Sequence, residues 1–197
     1  MYGMVKTHKT NNPVRVITSG CNTAVEKLSI LVEKTLYPIA DSLPSKIKDT
    51  SFMLDIIDNI NESVLSDIHI LVSFDVVNMF PSIDNKSGLE SVKNALSSNS
   101  FDIDSAQCII DALEICLTCN NSKFNHQFFL QTDRTAQGPH MSCSYADIAM
   151  AKYDYLANMF HLKPAIWKRF RGDVFVLWEH GTNFLFSFLD YLNSLDE

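Results

Sequence analysis

The chain has 197 residues, of which 46% are apolar and 11% aromatic, enough to bury the core of one globular domain and too much for intrinsic disorder. Its apolar runs are broken by Asp, Lys or Asn well before about 18 residues and no signal peptide opens it, which predicts a soluble, intracellular protein with no membrane span. A net charge of −7 argues against a plain basic nucleic-acid-binding module.

The charge is unevenly spread. Residues 1–50 hold seven Lys/Arg (Lys6, Lys9, Arg15, Lys27, Lys34, Lys46, Lys48) against four acids, a balance of +3 that leaves −10 for the remainder. Such a division suits a protein that grips phosphates at one end and gathers cations at the other, although an ordinary acidic surface explains it too. The five cysteines (Cys21, Cys108, Cys116, Cys119, Cys143) lack the paired spacing of a zinc site and are expected as reduced thiols. Cys116 and Cys119, a lone CxxC, fall in an apolar helical pattern and read as buried helix cysteines.

In chain order, Lys6–Thr7–His8–Lys9 and Asn11–Asn12–Pro13 predict a basic loop, which runs into a short strand at Val14–Ile17. Asn22 is the expected cap of a helix to about Ser42, with Val25, Leu28, Val32, Leu36 and Ile39 on one face. Ser51 opens another, carrying Leu54, Ile57 and Val64. His69 to Val77 is nearly all apolar and β-branched and predicts a strand buried in a sheet. Ser87–Gly88–Leu89–Glu90 matches a capping box before a helix to about Leu96, and Asp104 to Cys119 reads as the next helix. Phe124 to Gln131 is expected to be extended with a turn at Asn125–His126. Ser142 or Ser144 is the expected cap of a long helix to about Phe160. Ile166 to Trp178 predicts two short strands around Arg171–Gly172–Asp173, where glycine permits a tight turn, and a last helix runs from about Asn183 to Leu195. With no regular βαβ repeat and no linker, the sequence predicts one α+β fragment.

Three places carry chemistry. Asp75 stands within Ile70–Leu71–Val72–Ser73–Phe74 and Val76–Val77, where a carboxylate needs a cation, a hydrogen bond or a strand-end position to avoid desolvation. Asp173 follows a glycine at a hairpin, which purely conformational preference also explains. Two strands of one sheet that each bring a carboxylate to the same edge would form a site for hard divalent cations, the kind that assist phosphoryl and nucleotidyl transfer. The basic Lys6/Lys9/Arg15 segment would complement a triphosphate. Gln137–Gly138–Pro139–His140–Met141–Ser142–Cys143 is a Gly-Pro loop entering a helix, suited to holding a substrate close to the backbone or simply a loop-to-helix junction.

The order of these segments resembles the reverse transcriptases of Penelope-like retroelements over nearly the whole chain: Tyr-Gly-x-x-Lys-Thr-His-Lys…Val-Arg-Val-Ile, Phe-Asp-Val-Val-Asn-Met-Phe-Pro-Ser, Gln-Gly-Pro-His-Met-Ser-Cys and Trp-Lys-Arg-Phe-Arg-Gly-Asp-Val-Phe. The resemblance implies a right-hand polymerase palm with partial fingers and no thumb. About 1–65 would be fingers, 66–92 palm, 93–130 fingers and connecting helices, and 131–197 palm. It implies RNA-directed DNA synthesis on a primer 3′-OH with two Mg2+ or Mn2+ ions, an RNA template, a DNA primer and deoxynucleoside triphosphates. By the same resemblance Asp75 is the first metal-binding aspartate, Val76 offers a backbone carbonyl to metal, and Phe80 is the aromatic gate against a ribose 2′-OH. Gln137 and Gly138 contact nucleotide and template, Ser142 matches the serine that follows, and Cys143 stands where many relatives have proline. Arg15 holds the triphosphate, aided by Lys6 and Lys9.

One departure matters. The family carries two adjacent aspartates where this chain has Gly172–Asp173, so the second main metal ligand is missing and Asp173 is left as its neighbour. Losing about 4 kcal/mol of transition-state stabilisation slows a reaction roughly a thousandfold. This copy is therefore expected to be impaired, and a catalytically inactive nucleic-acid-binding remnant of the same fold is the competing reading. Arg171–Gly172–Asp173 also spells an adhesion tripeptide, against which the missing signal peptide and disulfide framework speak.

Overall fold

The computed structural model describes residues 1–7, 10–60 and 68–196; Lys9 and Val64 lie outside the described residues. Helices and strands alternate irregularly, and among the described residues the strands form three separate antiparallel sheets. The chain divides into two compact units, each built from separated segments: Met1–Ala40 with Asn78–Ala149, and Asp41–Val77 with Met150–Glu197.

In the first unit, β1 (Tyr2–Val5) pairs with β2 (Val14–Ile17), so the basic N-terminal stretch is a hairpin rather than a loop before one strand. Helix α1 (Glu26–Asp41) buries Val32, Leu36 and Ile39, the predicted face. Asn22 does not cap it. Its φ is 58°, in the left-handed region, and its own N–H donates to the Glu26 carboxylate at 2.8 Å, which delays the helix start. A one-turn helix α3 (Met79–Ser82) precedes α4 (Asn85–Ser98) and α5 (Ile103–Thr118). The cap of α4 is Asp84, whose carboxylate takes the Ser87 N–H at 2.9 Å; Ser87 lies inside the helix because an anion at a helix start outcompetes it. Gly88 has a packing role instead, since any side chain there would strike the hydroxyl of fully buried Tyr145. Cys116 is buried but Cys119 is exposed at the end of α5, so only one of the CxxC cysteines is a core residue. Strands β4 (Asn120–Phe124) and β5 (Gln127–Gln131) meet at Asn125–His126, where φ values of 46° and 63° give the left-handed two-residue turn that matches strand twist.

Helix α6 (Ser142–Met159) starts without a serine cap: the Ser142 hydroxyl is buried with no hydrogen-bond partner, and Ser144 donates to Glu33 at 3.0 Å.

The second unit holds α2 (Thr50–Asp58), capped by Asp49, and a three-stranded sheet in the order β3 (Ile70–Asp75), β7 (Asp173–Trp178), β6 (Ile166–Phe170). Strand β3 is not buried on both faces as its composition predicts. Its exposure alternates, because an antiparallel sheet covered on one side needs only every second residue apolar. Ile70, Val72 and Phe74 pack with Trp167, Val174, Val176 and Trp178 and with Phe188 of α7 (Gly181–Asn193). Phe188 stacks on Trp178 at 5.0 Å and meets Trp167 edge-on at 5.9 Å, contacts that add about 0.5–1.5 kcal/mol each beyond burial.

Candidate metal and nucleotide site

Pairing places Asp75 directly opposite Asp173 at the end of the β3–β7 ladder. Residues that face each other across two strands point to the same side, and both aspartates are exposed on the side away from the aromatic core. The Val76 N–H donates to the Gly172 carbonyl at 2.9 Å. Because antiparallel pairs alternate in type, Asp75 and Asp173 then form a non-hydrogen-bonded pair, with Cα atoms about 4.5 Å apart and side chains at their closest. Phe170 continues the row on the third strand as the partner of Asp173. Two oxygen donors on neighbouring strands, open to solvent, suit a hard divalent cation. They are also the arrangement that two like charges avoid unless something positive lies between them.

The hairpin that presents Asp173 differs from expectation in one respect. Its left-handed residue is Arg171, at φ 56°, and Gly172 is not among the glycines with positive φ. The strain is offset by Arg169, whose Nη1 donates to the Arg171 carbonyl at 3.1 Å. Asp173 itself is the first residue of β7, not part of the turn.

Behind the hairpin lies a buried network that the sequence reading did not find. The Asp154 carboxylate accepts from Arg169 Nη2 at 2.8 Å, Arg169 Nε at 3.0 Å, Trp167 Nε1 at 2.9 Å and Ser45 Oγ at 2.6 Å. Arg169 exchanges backbone bonds with Ser45 and Ile47, so the strand is tied both to α6 and to the segment before α2. The signal was the alternation of Trp167 with Arg169 in β6, which puts a charged residue on the buried face.

Within the first unit, Arg15 is exposed on β2 opposite Met4, and the Lys6 N–H closes the same hairpin onto Pro13 at 2.9 Å. The Gln137 carbonyl accepts from Thr18 N–H at 2.7 Å, and Gly138, at φ 131°, lies against the Thr18 carbonyl where a side chain would collide. Glycine is therefore required twice over, by backbone angle and by close approach. Phe80 is half-buried in α3, which follows Asn78 at φ 50°. A cleft of about 540 Å³ beside α4 and α5 is lined by both signs of charge, including Asp84, Lys86, Lys93 and Asp133, and by none of the predicted site residues.

Solved structures give the fold a comparison. The chain is similar to apo telomerase from Candida tropicalis, with a TM-score of 0.63 and 13% identity, covering 85% of this chain and 33% of that one. The fold is telomerase-like. A second similarity, to telomerase from Candida albicans in complex with a fragment of telomeric RNA, has a TM-score of 0.58 at 9% identity, covering 87% of this chain and 32% of that one. The chain thus spans about a third of the solved structures it matches. No protein-family model matches the sequence, and no curated protein matches it. The fold is mixed, with antiparallel sheets among the described residues, and no described helix is long and apolar enough to cross a membrane.

Proposed function

We propose that this chain is part of an RNA-directed DNA polymerase of a Penelope-like element, with the three-stranded sheet as palm. The single observation that carries the reading is the register that sets Asp75 against Asp173 at one sheet edge, within a fold similar to telomerase. Asp75, Asp173 and the Val76 carbonyl would hold two Mg2+ or Mn2+ ions, which supply charge stabilisation for the attacking 3′-oxygen and the leaving pyrophosphate. Arg15 and Lys6, with Lys9, would meet the triphosphate, Gln137 and Gly138 the nucleotide and template, and Phe80 the sugar. RNA template, DNA primer and deoxynucleoside triphosphates are the proposed partners, and the assignment of 1–65 and 93–130 to fingers belongs to the same proposal.

Gly172 specifically favours a second reading, in which the chain binds nucleic acid and does not catalyse. Primer extension on an RNA template separates the two. In a full-length context, a Gly172→Asp form is expected to incorporate deoxynucleotides and an Asp75→Ala form to incorporate none. No incorporation by Gly172→Asp would refute the enzymatic reading, while salt-sensitive primer-template binding that persists without activity would establish the silent one.

A further inference from the structure

Cys21, Glu26 and His140 form a second cluster, different in chemistry from the two aspartates and independent of the polymerase reading. The thiol sulfur, a carboxylate oxygen and an imidazole nitrogen all lie within 4.8 Å of one another, and His140 Nε2 is already 3.8 Å from Glu26 Oε1. Tetrahedral zinc with ordinary Zn–S, Zn–N and Zn–O bonds sets its ligand atoms about 3.4–3.6 Å apart. The three groups therefore need to close by about 1.4 Å at most.

Both segments that supply them are held in place without the metal. On one side, Asn22 donates its N–H to Glu26 Oε2, Thr23 Oγ1 donates to the Gly20 carbonyl at 2.8 Å, and the Cys21 N–H reaches Ser19 Oγ at 3.3 Å. On the other, the His140 loop is fixed by the Thr18–Gln137 bond and by Met141 N–H donating to Ser29 Oγ at 3.2 Å. Gly20 lets the two segments touch, since a Cβ there would lie 3.0 Å from the Pro139 Cα. Cys21 and His140 are exposed and Glu26 is half-buried, so water can reach the cluster.

We propose that Cys21, Glu26 and His140 bind one zinc ion. A thiolate beside an imidazole selects a borderline metal over Mg2+ or Ca2+, which take oxygen ligands, and three protein ligands with an open position is a common zinc pattern. Binding exchanges the Cys21 thiol proton for metal and releases it to solvent, so affinity falls as pH falls. Asn22 acts through Glu26, orienting its carboxylate. The ion would cross-link the turn after β2 to the Gly138 loop, two segments separated by more than a hundred residues in sequence.

The test is titration with Co2+, a spectroscopic stand-in for zinc, followed by zinc competition. Thiolate-to-cobalt charge-transfer absorption that saturates at one Co2+ per Cys21 thiolate is expected, whatever further Co2+ binds elsewhere, and zinc abolishes it. Cys21→Ser should remove that absorption, and Glu26→Gln and His140→Ala should each weaken binding tenfold or more. Cys143→Ser and the Asp75→Ala/Asp173→Ala pair should leave the absorption unchanged. Circular dichroism of each variant checks that it folds. Absence of charge-transfer absorption in the parent protein, or its survival in Cys21→Ser, overturns the assignment and leaves His140 and Glu26 as a surface ion pair beside a thiol.

Discussion

Asp154→Ala tests whether the buried network behind the hairpin holds the sheet as the geometry indicates. The substitution removes the acceptor for the Arg169 guanidinium, the Trp167 indole N–H and the Ser45 hydroxyl together. Arg169 is 2% exposed and Asp154 5%, so water cannot replace the lost partner without opening the sheet. Stranding a buried charge costs about 3–5 kcal/mol. Stranding the two neutral donors adds to this, though not additively, and about 4 kcal/mol is a lower working figure. That is a large part of the 5–15 kcal/mol typical of a native domain. With a urea m-value of about 2 kcal/mol/M, the midpoint should fall by about 2 M. Unfolding can be followed by tryptophan fluorescence, because both tryptophans, Trp167 and Trp178, lie in this core. Asp154→Ala combined with Arg169→Met should recover part of the loss, since no charge is then left unpaired. A midpoint shift below about 0.5 M, or no recovery in the double variant, would refute the argument.

Three further outcomes follow from the packing and electrostatics. Gly88→Ala should destabilise by about 1–3 kcal/mol in thermal or urea unfolding despite alanine's better helix propensity, because its Cβ meets the Tyr145 hydroxyl and the ring carbon that bears it; adding Tyr145→Phe, which keeps that ring carbon, should relieve only part of the loss, and Tyr145→Leu more. Burial pushes the Cys116 thiol up to about 11, so its thiolate is scarce at pH 8. Iodoacetamide mass mapping of the native protein should therefore label the exposed Cys21, Cys108, Cys119 and Cys143 and leave Cys116 unlabelled until unfolding or strong alkali. Replacing Arg15 and Lys6 with alanine should reduce the salt slope of RNA or DNA binding by about one to two units in a titration monitored by fluorescence anisotropy, with little sequence preference lost.

What could be read from the sequence followed the strength of each local signal. The β6–β7 hairpin and the turn at Asn125–His126 were legible because alternation and turn residues coincide there. Strands β1 and β4 were not: β4 reads Asn-Asn-Ser-Lys-Phe, a polar run that becomes a strand only because β5 pairs with it. The starts of α1, α4 and α6 were misplaced because the side chains expected as caps do not take the helix-end N–H groups. Asp84 prevailed over Ser87 by charge, whereas Asn22 turned its backbone the other way. The two compact units were hidden because each is assembled from separated segments without a linker. Asp75 was legible as a carboxylate out of place in an apolar run. Its neighbour Asp173 was expected at the same sheet edge, but the register that sets the two directly opposite is specified by no local pattern, and Asp154 with Arg169 is legible only once their burial is known.

Gly172 is where the geometry bears most directly on chemistry. If the glycine supplied the freedom that makes the turn, an aspartate there would strain the hairpin, and Asp173 would have room to shift toward the vacant role. The φ values argue otherwise. Arg171 carries the left-handed conformation, at a cost of about 1–2 kcal/mol for a residue with a side chain, and its carbonyl is held by Arg169. Asp173 is locked between Asp75 and Phe170, so moving it would break pairing on both of its sides. Substituting an aspartate at position 172 therefore adds a carboxylate at the same strand end without rebuilding the turn. Gly172 is half-buried and carries no positive φ, so Gly172→Asp should unfold within about 1 kcal/mol of the parent. It should also bind Mn2+ about tenfold more tightly by electron paramagnetic resonance, and the gain should vanish in Gly172→Asp/Asp75→Ala. Equal Mn2+ affinity in the parent and Gly172→Asp would mean that this strand end does not gather cations, and the polymerase reading of Asp75 and Asp173 would fall with it.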